Sequence, residues 1–129
     1  MKIIDGTNAV LGRLASYSAK QALLGEEIVI LNCEKIIITG SRQDILEKFA
    51  EKRKKIGSGQ KGPKHSRLAH LIVKRAIRGM LFHRSGRGKD AFRRIKCYAG
   101  VPEEFKDAKK ISMSREKNTK FITVSEIKK

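Results

Sequence analysis

Aromatic residues, long apolar runs and acidic residues in the middle of the chain are all scarce in this sequence. There is no Trp, and aromatic residues make up only 5% of the total, so a core must be built from Ile, Leu, Val and Ala. No apolar run approaches the ~20 residues that a membrane-spanning helix needs. The first residues also lack the apolar stretch of a signal peptide. We therefore expect a protein of the cell interior without a membrane partner.

Cysteine is also rare, and Cys33 and Cys97 stand apart without CxxC spacing. We predict that both are reduced, small core residues. His65, His70 and His83 lack the partner spacing of a metal site. No Ser/His/Asp set or carboxylate pair stands out either. The sequence therefore predicts no catalytic residue, metal, cofactor or small-molecule substrate.

Positive charge is abundant and unevenly placed. The net charge is +17, and residues 48–96 contain seventeen Lys/Arg against only Glu51 and Asp90. Residues 1–47 contain five Lys/Arg and six Asp/Glu, so they are nearly neutral. Concentrating like charges costs self-repulsion, which a polyanion relieves. We predict that residues 48–96 bind nucleic acid.

Folded RNA fits these basic residues better than DNA does. They are dispersed over predicted helix, loop and strand, and no helix-turn-helix or zinc-finger spacing is present. Aromatic residues are too few for a single-strand stacking platform. Several glycines let the main chain approach phosphate closely: they are Gly57, Gly59, Gly62, Gly86 and Gly88. The expected mode is recognition of RNA by shape and phosphate.

Two glycine-containing segments come close to nucleotide-binding motifs. Residues 6–13 have one residue too many for a P-loop and end in Arg13 instead of Lys. Residues 57–62 have the P-loop spacing, but Pro63 stands where Lys is required. A nucleotide-binding enzyme thus stays a weak alternative. A free regulatory RNA- or DNA-binding protein is the other alternative to a structural RNA-binding role.

Hydrophobic patterning in the first half predicts an α/β fold. Residues 2–5 form a strand, and Thr7 or Asn8 caps a helix that Gly25 ends. Residues 28–31 are apolar without interruption, as in a strand buried on both faces. Strand, helix and strand make a right-handed βαβ unit with parallel pairing. Residues 35–39 form either a further strand or a short turn packed beneath the sheet.

The second half alternates helices with basic loops. Ser41 and Asp44 begin a helix in a capping-box arrangement, residues 56–64 form a flexible basic loop, and Ser66 caps a helix to about Met80. The apolar stripe of that helix is predicted to be Ala69, Ile72, Val73, Ala76 and Met80. Residues 83–88 form a loop before a short helix ending at 93–94 and a strand at 95–98. Residues 121–124 add a strand or pack on the body. With no repeat, long linker or second core, we predict one domain over residues 1–129.

Several short segments follow one another in a characteristic order and spacing. They are Asp5-Gly6, residues 11–16, 31–35 and 39–40, Arg78-Gly79-Met80-Leu81, Arg87-Gly88, residues 91–94, Lys96 and residues 98–100. Together they resemble the ribosomal protein L13 family of the large subunit, in its archaeal and eukaryotic-like form, and the match runs nearly end to end. Phe82 departs from the family, since many relatives place Pro there. The chain also lacks an insertion that bacterial members have between the first helix and the second strand.

The resemblance implies a three-layer α/β/α domain around a small, mainly parallel sheet of about four strands. Residues 110–129 would be a short C-terminal extension packed on the body. The expected partners are large-subunit ribosomal RNA and neighbouring ribosomal proteins, and the expected location is the cytoplasm, in the large subunit. Carried over by position, RNA contacts fall on Arg13, Arg78, Arg84, Arg87, Arg93, Arg94 and Lys96.

Charge placement adds further cations from the basic middle region to this set. The complete predicted RNA-binding set is Arg13, Lys52, Arg53, Lys54, Lys55, Lys61, Lys64, Arg67, Lys74, Arg75, Arg78, Arg84, Arg87, Lys89, Arg93, Arg94 and Lys96.

Overall fold

The computed structural model describes residues 1–55, 59, 64–115 and 119–128 of the chain. Its regular elements alternate between strands and helices. They are β1 (Lys2–Asp5), α1 (Leu11–Leu23), β2 (Ile28–Leu31), β3 (Ile37–Thr39), α2 (Arg42–Lys54), α3 (Ala69–Met80), α4 (Gly86–Arg93), β4 (Ile95–Cys97), β5 (Ile111–Ser112) and β6 (Phe121–Thr123). Short 3-10 helices lie at Cys33–Lys35, Glu103–Phe105 and Val124–Lys128. The predicted flexible loop at 56–64 falls largely outside the described residues.

A four-stranded parallel sheet is the centre of the fold. The strand order is β4-β2-β1-β5, and each neighbouring pair is parallel. β1 and β2 pair over their whole length, with Ile4 opposite Ile30. The predicted α/β fold, with its βαβ unit and mainly parallel sheet of four strands, is therefore confirmed.

The two faces of β2 are both buried, as its uninterrupted apolar sequence predicts. Ile28 and Ile30 join the core cluster that also contains residues of α1 and α3. The crossovers from β1 to β2 and from β2 to β4 step in the same direction across the sheet. Because such crossovers are right-handed, their helices lie on the same side of the sheet. Val29 is buried on the opposite side, where it shares a cleft with Tyr98 and Phe105. A thin layer containing one 3-10 helix thus covers that face.

A second, antiparallel sheet resolves the alternatives for residues 35–39. The segment begins as a 3-10 turn and continues as β3, which pairs with β6. Ile122, Val124 and Ile127 are nearly or fully buried and belong to the same core cluster as Ile4. Of the two alternatives for residues 121–124, a strand is therefore present, over residues 121–123.

The turn after β1 is organised by one carboxylate. Asp5 accepts hydrogen bonds from the backbone N–H and hydroxyl of Thr7, at 3.0 and 2.8 Å, and from the Asn32 amide at 3.0 Å. Burial alone would raise the pKa of Asp5, but the bonds from Asn32 and Thr7 outweigh it and hold the pKa below its ordinary value. The ends of β1 and β2 are thereby joined.

That turn explains why the predicted cap of α1 is wrong. Thr7 is already bonded to Asp5, and Asn8 has a φ of 57°, whereas a helix N-cap has extended dihedrals. Val10 takes the N-cap position instead, with φ −77° and ψ 127°, and makes no side-chain cap. The other end of α1 is as predicted, since Gly25 follows it with a φ of 97°.

Helices α2 and α3 also begin differently from the expectation. Ser41 occupies the N-cap position of α2, but its side chain makes no capping bond. The Ser66 hydroxyl accepts from the N–H of Leu68 at 3.1 Å, a bond to the residue two positions on that precedes the helix. α3 consequently begins at Ala69, with Leu68 as its N-cap.

The buried stripe of α3 is partly as predicted. Ala69, Ile72 and Val73 are buried, but Met80 is 48% exposed. Ile77 is fully buried in its place. The chain turns into an extended conformation at Leu81, so this residue packs into the core and Met80 is left at the exposed end of the helix.

The cysteines are both free thiols. Cys33 is fully buried and Cys97 is partly buried, packed against the core. The neighbouring Cys97 thiol and the effect of burial both raise the pKa of the Cys33 thiol, which donates to the Ile30 carbonyl at 3.8 Å. This is the core role that the sequence predicts for Cys33.

Candidate nucleic-acid interface

Cations of α3 line a cleft between this helix and α4. Lys74, Arg75 and Arg78 border a cavity of about 240 Å³ together with Lys64 and the ring of Phe92. The Lys74 ammonium lies 5.1 Å from the centre of the Phe92 ring, which links the two helices by a cation–π contact. Arg75 donates a hydrogen bond to the carbonyl of Lys64 at 3.1 Å. The segment before α3 is thereby tied to the helix.

A neighbouring cleft of about 230 Å³ connects α3 with α2. Its lining includes Lys52, Phe49, His65 and Arg75, so Arg75 borders both clefts. Lys52 lies with its ammonium 5.4 Å from the centre of the Phe49 ring. Cations separated by more than twenty positions in the sequence thus share one surface. We call the surface formed by Lys52, Lys64, Lys74, Arg75 and Arg78 the α3 basic face.

His65 reports the electrostatic potential of this surface. Partial burial and the positive charges of Arg75, Lys52 and Arg78 all lower the pKa of its imidazole. Protonation of His65 is therefore disfavoured, because it would add a positive charge beside these cations. An anion bound there would have the opposite effect on the same group.

The segment between α3 and α4 is held by backbone contacts. The Phe82 carbonyl accepts bonds from the N–H of Ser85 at 3.1 Å and from its hydroxyl at 2.8 Å. The same hydroxyl accepts from the N–H of Gly88 at 3.1 Å and caps α4. The helix begins at Gly86, so Arg87 lies in its first turn and not in the predicted loop. Arg84 and Arg87 are both exposed.

The cations after α4 divide between structural and solvent-facing positions. Arg94 donates to the carbonyl of Ala22 at 2.9 Å and so joins β4 to the end of α1. Arg93 is exposed, and its guanidinium lies 3.9 Å from the Asp90 carboxylate. Lys96 is exposed on β4 beside Val29, on the sheet face opposite the main helices.

The cations at the C-terminal end of α2 also differ in their contacts. Arg53 donates to the carbonyl of Ile127 at 3.3 Å and therefore holds the C-terminal segment. Lys55 lies 3.7 Å from the Glu51 carboxylate, whereas Lys54 is exposed. Of the three, Lys54 is the one with no partner among the described residues. The α3 basic face thus continues onto α2 mainly through Lys52.

Arg13 lies in a different place, at the start of α1. It lines a cleft of about 330 Å³ with Val10, residues 112–114 and Arg115. Arg115 is exposed and was not predicted as a site residue. The only signal for it was its charge in a polar tail, and Arg13, which lines the same cleft, is 102 positions away in sequence. Only the folded structure brings Arg13 and Arg115 to one cleft.

The remaining predicted cations have no described contacts with acids. Arg67 and Lys89 are exposed, and Lys61 lies outside the described residues. Across residues 1–55, 64–115 and 119–128, four ion pairs are present, and only those of Lys55 and Arg93 involve predicted site cations. The positive charge of the described surface is therefore largely uncompensated.

Other kinds of site are not evident in the part of the chain that the structure describes. No three His, Cys, Asp or Glu side chains there come together as a metal site would require. No helix in the same residues is long and apolar enough to cross a membrane.

Fold and surface together define a small α/β protein with an uncompensated basic face, of the class in which nucleic-acid-binding proteins are found. Comparison with known proteins is more specific. Residues 1–104 match the family described as Ribosomal protein L13, and the chain belongs to this family. The resemblance seen in the sequence is confirmed. Because the family is structural and non-enzymatic, the prediction that the chain is not an enzyme is also confirmed.

Relatives from archaea match almost the whole chain. The large ribosomal subunit protein uL13 of Methanococcus maripaludis is 45% identical, over 98% of this chain and 94% of the relative. The protein of the same name from Methanocaldococcus jannaschii is 42% identical, over 100% and 96%. That of Archaeoglobus fulgidus is 41% identical, over 97% and 83%. These matches agree with the archaeal-like branch that the sequence implies.

Proposed function

We propose that this chain is a structural constituent of the large ribosomal subunit that binds and orders folded large-subunit ribosomal RNA. It neutralises phosphates where RNA segments pack closely, and so supports subunit assembly and translation in the cytoplasm. Neighbouring large-subunit proteins are its other partners. Family membership and the names of the relatives support the ribosomal role.

The observation that carries the RNA proposal is the α3 basic face. Five cations from α2, α3 and the segment before α3 border two adjoining clefts that share Arg75. None of the five pairs with an acid in the described structure. Phosphate contacts need cations held on rigid elements, and this surface provides them.

Exposed cations outside this face add to the proposed contact surface. Arg84 and Arg87 lie on the segment that the Phe82–Ser85 contacts hold, and Arg93 lies at the end of α4. Lys96 lies on the sheet face opposite the main helices, where it would make a separate contact. Arg53 and Arg94 already bond to backbone carbonyls of the protein. Both bonds are partly buried, unlike the exposed bond of Arg75 to the Lys64 carbonyl, so we assign Arg53 and Arg94 a mainly structural role. We place the RNA contacts on the α3 basic face and on the exposed members of the set, including Arg13 near Arg115.

The salt dependence of binding tests the proposal. If roughly six to eight phosphates are neutralised, log affinity should fall with log salt concentration at a slope of about −4 to −7. The measurement is filter binding to transcribed large-subunit ribosomal RNA at several KCl concentrations. A flat dependence would contradict phosphate neutralisation.

Charge reversal tests the location of the surface. Changing Arg84 and Arg87 to Glu should weaken RNA binding and make the salt slope shallower by about one per lost phosphate contact, with little change in stability because both side chains are exposed. The matched control changes Lys106 and Lys109, two exposed cations outside the predicted set, to Glu. Equal effects of the two double variants would mean that only net charge matters.

Sedimentation separates the ribosomal role from a free regulatory one. In a sucrose gradient of cell lysate, the protein should migrate with large subunits at moderate salt. Recovery mainly at the top of the gradient would exclude an integral ribosomal role while leaving RNA binding intact.

A further inference from the structure

Phe82 is the most exposed large apolar side chain among the described residues. Its exposed fraction is 76%, compared with 68% for Leu24 and 48% for Met80. The other Phe residues near the basic region, Phe49 and Phe92, are partly buried against the core. An aromatic ring in water contributes little to folding, and its face is free to contact a partner.

The backbone of Phe82 is fixed although its ring is free. Its carbonyl accepts two hydrogen bonds from Ser85, and α4 approaches so closely that a Cβ at Gly88 would lie 1.8 Å from that oxygen. The preceding residue, Leu81, is 4% exposed and anchored in the core. The ring is therefore presented from a rigid support and loses little backbone entropy when it binds.

The surroundings of the ring favour one kind of partner. Arg84, Arg87 and Lys89 are all exposed within seven positions of Phe82, and the nearest acid in sequence, Asp90, lies against Arg93. An apolar protein surface docked on the ring would bury these cations without partners, which is costly. A nucleic acid offers a flat aromatic base to the ring and phosphates to the cations.

We propose that Phe82 stacks on an unpaired base of the RNA that the neighbouring arginines hold by its phosphates. This inference rests on the proposed function and adds to it a contact that does not depend on charge. One ring is not a stacking platform of the kind that the low aromatic content excludes. It acts as a single anchor that selects places where a base is unstacked.

The lack of Trp in the chain makes the contact measurable. Phe82→Trp introduces the only indole and keeps an aromatic face, so it should bind large-subunit ribosomal RNA as tightly as the original protein, with its fluorescence quenched by stacking. The matched control is Leu24→Trp, at a position that is 68% exposed and is followed by Glu26 and Glu27. Its fluorescence should not change when RNA is added.

Affinity provides the second readout. Phe82→Leu keeps an apolar side chain but removes the aromatic face, and it should weaken binding about tenfold, within the range for loss of one stacked base. The salt slope should be unchanged, because no phosphate contact is removed. A fully paired RNA duplex should bind Phe82→Trp without quenching it, since it has no free base. The unfolding midpoints should match, because the side chain is exposed.

The outcomes distinguish this inference from the proposed function. The stacking proposal is wrong if Phe82→Trp is not quenched, or if Phe82→Leu loses no affinity. RNA binding still stands in either case, provided that all variants bind with the same steep salt slope. If Phe82→Leu keeps its RNA affinity but subunits lose a neighbouring protein, the ring contacts protein and the proposal is also wrong. If no variant binds RNA, both proposals fall together.

Discussion

At the scale of single residues, Gly88 shows how a missing side chain positions functional ones. It lies in the first turn of α4, where its N–H bonds to the Ser85 hydroxyl. A Cβ at this position would lie 1.8 Å from the carbonyl oxygen of Phe82 and 2.4 Å from its carbonyl carbon. The clash is with backbone and not with a flexible side chain, so it cannot be relieved locally. The close approach of α4 to the preceding segment therefore requires glycine.

Gly88→Ala should accordingly destabilise the protein by about 2 kcal/mol, in the range for overpacking a tight site. Gly86→Ala is the matched control, two residues away in the same helix, where an added Cβ meets nothing within 4 Å. The free energy of unfolding in urea measures both. Similar values for the two variants would show that α4 shifts to accept a side chain.

At the scale of elements, the pairing of β3 with β6 joins distant parts of the chain. Ile37 lies opposite Thr123, and the N–H of Val124 bonds to the carbonyl of Ile36 at 2.9 Å. Val124 and Ile127 are fully buried, whereas Phe121 on the same segment is 46% exposed. We propose that residues 110–129 are an integral part of a single domain and not a detachable tail.

Ile127→Ala should therefore cost about 2–4 kcal/mol, the range for emptying a fully buried site. Phe121→Ala removes a larger side chain from a half-exposed position and should cost under about 1 kcal/mol. Thermal or urea unfolding compares the two. A smaller loss for Ile127→Ala than for Phe121→Ala would contradict the integral role of the segment.

Elements were predictable where local sequence decides them. The apolar run at 28–31 predicted β2, and Gly25 predicted the end of α1, because burial on both faces and a positive φ leave few alternatives. The starts of α1 and α3 were not predictable. Thr7 and Ser66 make turn bonds instead of helix caps, and that choice depends on Asp5 and on the position of α3.

At the scale of the whole molecule, unpaired positive charge is the dominant electrostatic feature. The net charge is +17, and the ion pairs within the described part of the chain are few and exposed. Exposed pairs of this kind contribute little stability. Repulsion among the free cations thus opposes the compact state in the absence of a polyanion.

The stability of the free protein should therefore rise with ionic strength. Between about 0.05 and about 0.5 M KCl, screening should raise the free energy of unfolding by on the order of 1 kcal/mol. Urea is the suitable denaturant because it is uncharged. The variant with Arg84 and Arg87 changed to Glu should gain less, since it has less repulsion to screen. A decrease with salt would mean that attractive pairs outweigh repulsion.

The site was predictable from charge only in outline. Counting charges in the sequence identified residues 48–96 as basic. It could not show that Lys52 and Arg75 border one cleft, or that Arg53 and Arg94 bond to backbone carbonyls. The cleft shared by Arg13 and Arg115 was missed for the same reason. These relations depend on how helices pack, and residue type alone carries no information about them.

The β3–β6 pairing also sets the order of events during synthesis. Ile122, Val124 and Ile127 are translated after every other residue of the core cluster, yet they close it against Ile36 and its neighbours. Chains emerge from the ribosome with the N-terminal side first. The basic residues 48–96 are thus outside the exit tunnel before the core that positions them is complete. The nascent chain is therefore cationic and incompletely packed for an interval. Binding of RNA or a chaperone during that interval would keep it from aggregating.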